Sequence, residues 1–240
     1  MNIIITGATS GIGKELALQF AAKGNKVGLI GRRTERLEEL KHEIGELAYI
    51  RTLDVTNFER AEKVYQELID EMDGLDIMIL NAGVGRIKTR PAWRIDESII
   101  EVNAFAFAHG CHFAFEYFLK QGYGQIVGMS SIAAHIASGR AAAYTASKHF
   151  ISNYMTGFRQ KANLTGADIT ITDLKPGYIW TEMTERNNNM FWVSSVQKAV
   201  QQMVRAIEKK KNHAYITKRW RLLAWAAELV PQWIWDRLKV

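Results

Sequence analysis

The sequence predicts an α/β fold, a doubly wound parallel sheet of seven strands with helices on both faces. Short apolar runs alternate with longer segments, such as "KELALQFAAKG" and "RAEKVYQELIDEM", whose apolar residues recur at the spacing of a helix. Runs such as "IIIT" and "DIMIL" lack the polar alternation of a strand with one solvated face, so helices should cover both faces. The runs that we assign to strands lie near residues 2–6, 26–30, 48–53, 75–80, 124–130, 168–174 and 213–217.

Length and composition favour one globular domain. The chain has 240 residues, of which 48% are hydrophobic and 23% charged, as in folded rather than disordered proteins. No linker-like, low-complexity or repeated segment divides the sequence. We therefore predict a single domain over residues 1–240 that ends in a Trp-rich tail at about 218–240.

Cysteine content and the opening residues predict a cytoplasmic protein. Cys111 is the single cysteine, which excludes an internal disulfide and fits a reducing compartment. The chain opens directly into the apolar run "NIIIT", without the basic segment and cleavage site of a secretory signal. No stretch reaches the roughly 18 apolar residues of a spanning helix. The best candidate, "LLAWAAELVPQWIW", is interrupted by Glu228 and Pro231.

The chain is basic, with a formal net charge of +6 and a sequence pI of about 9.3. Basic residues concentrate at 208–213 and 217–221. They could meet nucleic acid, an anionic lipid or an anionic cofactor, or they could form a solvated surface. Because no helix-turn-helix, zinc-finger or RNA-binding motif accompanies them, we predict no nucleic-acid partner.

A glycine-rich turn follows the first predicted strand in "IIITGATSGIGKELA". Gly7, Gly11 and Gly13 lie between this strand and a helical segment that begins near Ile12. Glycines there let the backbone bend tightly and approach a pyrophosphate, and the amino terminus of the helix favours its negative charge. This strand–turn–helix context predicts a dinucleotide site, and a purely structural glycine turn is the alternative.

The spacing Gly-x-x-x-Gly-x-Gly after "TG" resembles the nucleotide turn of the short-chain dehydrogenase/reductase family, whose fold is Rossmann-type. Further motifs follow in the family's order over almost the whole chain. They are "LDV" at 53–55, "NAG" at 81–83, Asn103 in "EVNAF", Ser131 in "GMSSIAA" thirteen residues before Tyr144, and "KPGYIWT" at 175–181. Six ordered motifs are far more specific than any one of them, so the chain is identified as a member of this family.

The resemblance implies an NAD(P)-dependent oxidoreductase that transfers hydride between the cofactor and a ketone or secondary alcohol. It implies a catalytic set of Asn103, Ser131, Tyr144 and Lys148. The residues expected around the cofactor are Gly7, Ser10, Gly11, Ile12, Gly13, Arg32, Arg33, Asp54, Val55, Asn81, Ala82, Gly83, Tyr144, Lys148, Pro176, Gly177, Ile179 and Thr181. A non-catalytic NADP-binding sensor or scaffold is the alternative, but such proteins usually have a broken catalytic set, and here the set is complete.

Tyr144 and Lys148 lie four residues apart in a predicted helix, so their side chains share one face, one turn apart. A free tyrosine has a pKa near 10, too high for efficient proton acceptance at neutral pH, and we expect the charge of Lys148 to lower it. The resemblance further implies that Lys148 binds the nicotinamide ribose and that Ser131 donates to the substrate carbonyl oxygen. It also implies that Asn103 holds a water for proton resupply. Tyr144 is therefore the predicted acid/base.

The end of the second strand, in "GLIGRRTERL", bears on the choice between NAD and NADP. In dinucleotide folds an acidic residue about 20 positions after the glycines binds the ribose 2′-hydroxyl, whereas arginine accommodates a 2′-phosphate. Arg32 and Arg33 stand here, and no acidic residue precedes Glu35, so we predict NADP, with NAD as the alternative. The two arginines could instead simply begin an exposed helix. The chain departs from many NADP-using relatives at Ser10, where they carry a basic residue.

Three segments should line the substrate cleft at the carboxyl ends of the strands, namely 83–94, 132–140 and 178–192. Apolar side chains in the third segment suggest a lid over a hydrophobic substrate. They are Trp180, Met183, Met190, Phe191 and Trp192. Basic side chains in the first segment could hold a phosphate or carboxylate, although we prefer a solvated loop. They are Arg86, Lys88, Arg90 and Arg94. We predict a hydrophobic ketone or secondary alcohol, free or carried on a lipid or an acyl carrier.

The tail combines basic residues with four tryptophans, Trp220, Trp225, Trp233 and Trp235. Cationic, Trp-bearing segments can lie in a membrane interface, which would make the protein peripherally membrane-associated. Apolar helical stripes are more often packing surfaces. We therefore favour packing on the cleft or on a second subunit over contact with a membrane.

His109 and His112 stand three residues apart in the apolar segment "ESIIEVNAFAFAHGCHFAFEYF". Since no third ligand is evident, we predict no metal site and favour packing or a subunit contact. By the resemblance, this helix and the helix that carries Tyr144 form the dimer contact of the family, which implies a homodimer or homotetramer.

Overall fold

A parallel sheet lies at the centre of the protein, which we describe from a computed structural model over residues 1–88, 90–185, 187 and 190–237. The strands of this part of the chain are β1 (Asn2–Thr6), β2 (Lys26–Gly31), β3 (Ala48–Thr52), β4 (Ile77–Leu80), β5 (Tyr123–Met129), β6 (Asp168–Pro176) and β7 (His213–Ile216). They form one sheet in the order β3-β2-β1-β4-β5-β6-β7, and neighbouring strands run parallel. This arrangement confirms the predicted fold.

The predicted strand ends differ from the observed ends by at most two residues, for local reasons. β4 begins at Ile77 rather than at residue 75, because the Asp76 carboxylate accepts a hydrogen bond from the Asn2 backbone N–H at 2.7 Å. β6 continues to Pro176 because its last residues pair with Tyr215 and Ile216 of β7. Edge contacts of this kind join distant parts of the chain, so periodicity alone does not reveal them.

Helices connect the strands and cover both faces of the sheet. The helices of the described residues are α1 (Gly11–Ala21), α2 (Thr34–Ile44), α3 (Phe58–Met72), α4 (Trp93–Ile100), α5 (Phe107–Gln121), α6 (Ala142–Thr165), α7 (Val196–Glu208), α8 (Trp220–Glu228) and α9 (Gln232–Trp235). A π-helical turn at Glu101–Ala106 joins α4 to α5, and a 3₁₀ turn at Ile132–His135 follows β5. Local sequence sets individual ends, as where the Asn57 side chain caps α3 by accepting from the Arg60 N–H at 3.1 Å.

The sheet separates two hydrophobic cores, as the unbroken apolar runs predict. Side chains of successive strand residues point to opposite faces. Ile3 and Ile5 of β1 therefore pack in the core that contains Phe20 of α1, whereas Ile4 packs with Leu68 of α3 in the other core. All of these side chains are buried. Every residue of β1 after the first is thus shielded from water, which is why the run "IIIT" has no polar alternation.

The direction of winding reverses between β1 and β4. From β1 the chain proceeds outward through β2 and β3, and then returns to place β4 on the other side of β1. In open α/β sheets, ligands bind outside the carboxyl ends of the strands at such a reversal. Thr6 and Leu80 end these two strands, so the turns that follow them define the place to examine for a site.

The predicted tail at 218–240 contains α8 and α9, and residues 238–240 lie outside the described residues. Trp220, which opens α8, is only 3% exposed. Within the described ranges, no helix has both the length and the apolar content that crossing a bilayer would require. The division of the chain into one domain and a tail stays a prediction.

Candidate active site

The turn after β1 brings the chain close to the start of α1. Gly7 and Gly11 have φ values of 70° and 54°, a region that side chains with a Cβ rarely adopt. A Cβ on Gly13 would lie 2.2 Å from the Gly7 carbonyl oxygen and 2.6 Å from Asn81 Nδ2. The first turn of α1 therefore packs directly against the glycine turn, which explains why the sequence has glycine at each of these positions.

Asn81 ties the end of β4 to the same turn. Its side-chain amide donates to the backbone oxygens of Thr6 and Gly7, at 3.0 and 3.1 Å. The Thr6 hydroxyl in turn accepts from the backbone N–H groups of Asn81 and Ala82, both at 3.0 Å. The sequence analysis placed Asn81 and Ala82 at the cofactor but assigned no role to Thr6, whose hydroxyl joins the two turns.

A cavity of about 370 Å³ opens along these turns. The predicted residues that line it are Gly7, Ser10, Gly11, Ile12, Arg32, Arg33, Asp54, Val55, Asn81, Ala82, Gly83, Tyr144, Lys148, Pro176 and Thr181. Lining residues outside the predicted cofactor set are Thr9, Gly31, Leu53, Val84, Val102, Met129, Ser130 and Glu182, of which Val84 and Glu182 belong to the segments predicted for the substrate cleft. Met183 also lines it, although the sequence analysis placed that residue in the substrate lid.

Three predicted cofactor residues lie behind the cavity wall. Gly13 is buried under the glycine turn, and Ile179 belongs to the hydrophobic core. A Cβ on Gly177 would meet the Trp220 indole at 2.0 Å, so this glycine makes room for a tryptophan. Each therefore shapes the wall, and any direct contact with a cofactor stays a prediction.

The cavity suits an extended, anionic dinucleotide. At its centre, α1 begins without a side-chain cap at Ser10, so backbone N–H groups at the helix terminus are available to a diphosphate. At one end lie Arg32 and Arg33, and at the other lie Tyr144 and Lys148. A polar turn between two cationic ends is the arrangement that a nicotinamide dinucleotide needs.

Asn103 holds the π-helical turn against the segment after β4. Its amide oxygen accepts from the Val84 N–H at 2.8 Å, and its Nδ2 donates to the Val84 oxygen at 2.8 Å and to the Ser147 hydroxyl at 3.0 Å. The side chain is fully buried. π-helical turns within helices are frequent at functional sites. Asn103 thus links the cavity wall to α6, the helix that carries the next two residues.

Tyr144 and Lys148 lie one turn apart at the start of α6, as their spacing predicts. Lys148 Nζ donates to the Met129 backbone oxygen at 2.8 Å and lies 5.6 Å from the centroid of the Tyr144 ring. Ser131 is hydrogen-bonded to Tyr144. The Ser131 hydroxyl also lies 3.3 Å from the Pro176 oxygen and accepts from the Ala133 N–H. The structure therefore brings Ser131, Tyr144 and Lys148 together.

The direction of the Tyr144 pKa shift differs from our expectation. Burial raises the pKa of Tyr144 above its ordinary value, and the hydrogen bond with Ser131 only partly opposes this. Lys148 Nζ is instead hydrogen-bonded to the Met129 backbone oxygen. Our prediction that the Tyr144 pKa is lowered was wrong, because the cost of removing the phenolate from water exceeds the stabilisation by its neighbours. Tyr144 is thus protonated at neutral pH, the form that donates a proton.

Burial lowers the pKa of Lys148 to about 8, and the negative charge of Asp173 acts in the opposite direction. Asp173 lies in a buried network at the end of β6, where it pairs with Lys175 at 3.0 Å and accepts from Ser152 at 2.9 Å. Ser152 lies one turn after Lys148 on α6. The charge of Lys148 therefore depends on a carboxylate that the sequence analysis did not single out.

We predict that kcat/KM for carbonyl reduction falls as the pH rises through about 8. Below that pH Lys148 is an ammonium group; above it, the neutral amine can no longer stabilise negative charge beside Tyr144. The test is the pH profile of kcat/KM, which reports pKa values of the free enzyme. In Lys148→Arg the charge persists, so any remaining activity should extend to higher pH. A wild-type profile that stays flat to about pH 10 would contradict the prediction.

The arginines at the other end of the cavity make a set of polar contacts. Arg33 donates through Nη2 to the hydroxyls of Thr9 and Ser10, both at 2.8 Å. Arg32 lies 3.6 Å from the Asp54 carboxylate. Ser10, at the position where many relatives carry a basic residue, thus accepts from an arginine of the β2–α2 connection. The guanidinium of Arg33 thus contacts the glycine turn, although its side chain is 42% exposed.

Aromatic side chains of the segment after β6 and of α8 form a cluster, which we call the aromatic wall. Tyr178, Phe191, Trp192 and Trp220 pack together, with ring centroids 5.2 to 5.8 Å apart. Arg219 reinforces this cluster by donating to the Trp192 oxygen at 2.6 Å. Trp220 comes from the tail, so the start of the tail packs on the segment after β6.

Other parts of the predicted cleft are open to solvent. Trp180 and Met183 are exposed, and residues 186, 188 and 189 of the same segment lie outside the described residues. The four basic residues of the first segment are exposed too, which fits the solvated loop that we preferred. This loop contacts the second predicted segment where the Lys88 N–H donates to the Arg140 oxygen at 2.7 Å.

The two histidines of α5 make separate contacts. His109 Nε2 lies 3.0 Å from Glu62, and His112 Nε2 lies 3.0 Å from the Tyr154 hydroxyl. In the part of the chain that the structure describes, no group of three or more His, Cys, Asp or Glu side chains could hold a metal ion. Phe105 and Phe150 are exposed on the helices assigned to the subunit contact, and the homo-oligomer stays a prediction.

Comparison with known proteins identifies relatives of this chain. The family model described as short chain dehydrogenase matches residues 1–192. An uncharacterized oxidoreductase of Mycobacterium tuberculosis is 34% identical over 99% of this chain and 90% of its own length.

Two solved structures share the sheet and helices described above. The closed form of serine dehydrogenase complexed with NADP⁺ is 25% identical, with a TM-score of 0.82 over 90% of this chain and 94% of that one. A short-chain dehydrogenase/reductase from Burkholderia phymatum in complex with NAD has a TM-score of 0.86 at 18% identity, over 93% of this chain and 91% of that one. These neighbours thus hold different nicotinamide dinucleotides.

Proposed function

The chain belongs to the short-chain dehydrogenase/reductase family of oxidoreductases, and we propose that it transfers hydride between NADP(H) and a hydrophobic ketone or secondary alcohol. The observation that carries this proposal is the arrangement of Ser131, Tyr144 and Lys148 at one end of a cavity whose other end is lined by arginines. A bound nicotinamide dinucleotide would supply or accept the hydride.

Tyr144 is the proposed acid/base. In reduction its hydroxyl donates a proton to the carbonyl oxygen, and in oxidation its oxygen takes the proton from the alcohol. Ser131 donates a hydrogen bond to the same oxygen and so stabilises the negative charge that develops there. Because burial raises the pKa of Tyr144, the free protein is set for proton donation. The phenolate that oxidation needs would be stabilised by the positive charge of Lys148, whose Nζ lies 5.6 Å from the centroid of the Tyr144 ring.

Arg32 and Arg33 support NADP over NAD. Arg33 reaches the glycine turn, where its guanidinium lies beside Thr9 and Ser10 at the cavity wall. Arginine binds phosphate through several charge-assisted hydrogen bonds. No carboxylate of the β2–α2 connection precedes the arginines to bind a ribose 2′-hydroxyl instead. The 2′-phosphate would therefore lie between α1 and α2.

The aromatic wall supports a hydrophobic substrate. Its side chains Tyr178, Phe191 and Trp192 come from the segment after β6, and each packs against the indole of Trp220. Aromatic faces of this size favour an apolar group next to the reacting carbon. Serine, after which one related structure is named, is the polar substrate with which to compare a hydrophobic one.

The test is the oxidation of NADPH and NADH with a panel of ketones, aldehydes, quinones and β-keto esters on acyl carriers, with serine oxidation measured in parallel. We expect NADPH to be the better donor and a hydrophobic ketone or keto ester to be the best acceptor. A preference for NADH would contradict the role of Arg32 and Arg33. Best activity with serine would contradict the role of the aromatic wall. Cofactor binding without turnover on any substrate would favour the alternative, a non-catalytic NADP-binding sensor or scaffold.

As a second, independent proposal, we propose that the outer face of α8 makes a peripheral contact with an anionic membrane surface. Leu222, Trp225 and Leu229, spaced three and four residues apart, are 62%, 50% and 83% exposed. Arg221 stacks on Trp225 at 4.8 Å, so a cation accompanies the apolar stripe. An arginine beside exposed tryptophan and leucine suits an anionic lipid surface.

We expect the protein to float with anionic vesicles and Leu222→Ser/Leu229→Ser to lose this binding. The physical reason is that the stripe contributes the apolar area that enters the interface. Leu164→Ser removes a leucine that is 87% exposed on α6 and serves as the matched control. Equal flotation of both variants, or a change of oligomeric state in the first one alone, would contradict the membrane proposal.

A further inference from the structure

Glu182 lies at the mouth of the cavity, next to Thr181 of the "KPGYIWT" motif. Its carboxylate accepts from Arg33 Nη1 at 3.2 Å and makes a second, short hydrogen bond with Arg36 Nη1. Arg33 and Glu182 are 149 positions apart in sequence. Glu182 therefore bridges the segment after β6 to the start of α2, across the cavity.

This bridge occupies the guanidinium groups of Arg33 and Arg36, which would bind the 2′-phosphate of NADP(H). Arg33 donates to Thr9, Ser10 and Glu182 at once, and Arg36 is held by the same carboxylate. Hydrogen bonds from the two arginines lower the pKa of Glu182, so the carboxylate is ionised throughout the neutral range. The planar guanidinium fork of arginine binds a carboxylate and a phosphate with the same geometry. Glu182 and a 2′-phosphate can therefore occupy the same donors of these arginines.

We infer that Glu182 sets the discrimination between phosphorylated and unphosphorylated dinucleotides by competing with the 2′-phosphate for Arg33 and Arg36. To bind, the 2′-phosphate of NADP(H) must displace the Glu182 carboxylate from these arginines, and the two negative charges repel each other. NAD(H) has no 2′-phosphate and leaves the ion pairs of Glu182 intact. Glu182 thus weakens the preference that the arginines alone would give. The inference rests on the proposed dinucleotide site, and it also assigns Arg36 to phosphate recognition.

The bridge has a second consequence for the segment after β6. While Glu182 holds Arg33 and Arg36, this segment is tied to α2 over the adenosine end of the cavity. When a phosphate takes the arginines, the tie is released. Any general loosening of the segment affects both dinucleotides alike, so only the ratio of their affinities reports the competition.

The experiment measures the dissociation constants of NADPH and NADH for the wild type and Glu182→Gln. Adenosine 2′,5′-bisphosphate and adenosine 5′-monophosphate serve as fragments that contact the arginine end alone. The side chains of Arg33, Arg36 and Glu182 are 40 to 54% exposed. In Glu182→Gln we therefore expect the preference for the phosphorylated ligand to rise about three- to fivefold, which corresponds to the free energy of an exposed ion pair. Glu185→Gln removes the same charge from the same segment and should leave the ratio unchanged.

An Arg36→Ala background sharpens the result. If Glu182 acts through the arginines, the effect of Glu182→Gln should be smaller when Arg36 is absent. An unchanged ratio in Glu182→Gln, or an equal change in Glu185→Gln, would overturn the inference. A raised ratio in a protein that transfers no hydride would leave the inference standing and reject the proposed function, so the two failures are distinguishable.

Discussion

Replacing Tyr144 with phenylalanine is expected to lower kcat by about 10²- to 10⁴-fold, the usual contribution of a positioned acid or base. The substitution removes only the hydroxyl that is hydrogen-bonded to Ser131, while the ring stays in place beside Lys148. Binding of NADPH should persist, because the glycine turn and the arginines are untouched. Steady-state turnover together with NADPH fluorescence titration checks both parts of this prediction.

Tyr154→Phe is the matched control for Tyr144→Phe. Tyr154 lies on the same helix, α6, and its hydroxyl contacts His112 at 3.0 Å, away from the cavity. We expect this variant to keep wild-type kcat, since it removes a hydroxyl of the same kind outside the site. Full activity in Tyr144→Phe would reject Tyr144 as the acid/base. Equal losses in both variants would show that the effect comes from α6 as a whole.

Gly13→Ala is expected to destabilise the fold by about 3 kcal/mol or more, the upper end of the range for overpacking. The added Cβ would lie 2.2 Å from the Gly7 carbonyl oxygen, and this neighbour is backbone that cannot rotate away. The strain would separate α1 from the glycine turn and disturb the Asn81 amide, which lies 2.6 Å from the same point. Dinucleotide binding should therefore be lost even where the variant folds. Urea denaturation and NADPH titration measure the two effects.

Gly157→Ala is the control for Gly13→Ala. Gly157 lies in α6, and a Cβ there would meet no atom within 4 Å. Alanine in the interior of an exposed helix is favoured over glycine by about 1 kcal/mol, so this variant should be slightly more stable and bind the cofactor normally. Normal cofactor binding by Gly13→Ala would contradict the close packing of α1 on the turn.

Local patterns in the sequence predicted the fold and most of the cavity wall. The alternation of strands and helices in a parallel sheet follows from alternating apolar runs and amphipathic segments, and the site follows from glycines between a strand and a helix. Such signals lie within about ten consecutive residues, where backbone geometry is dictated by neighbours along the chain. The pairing of Tyr144 with Lys148 belongs to this class too, because one helical turn joins them.

The tertiary structure alone decided the features that depend on distant residues. It brought Glu182 onto Arg33 and Arg36, packed Trp220 against Gly177, and raised rather than lowered the pKa of Tyr144. Each of these depends on what the folded chain places next to a side chain and on how much water it removes. Neither quantity is encoded in the spacing of a motif, since burial and contacts between remote segments arise only when the sheet and its helices assemble.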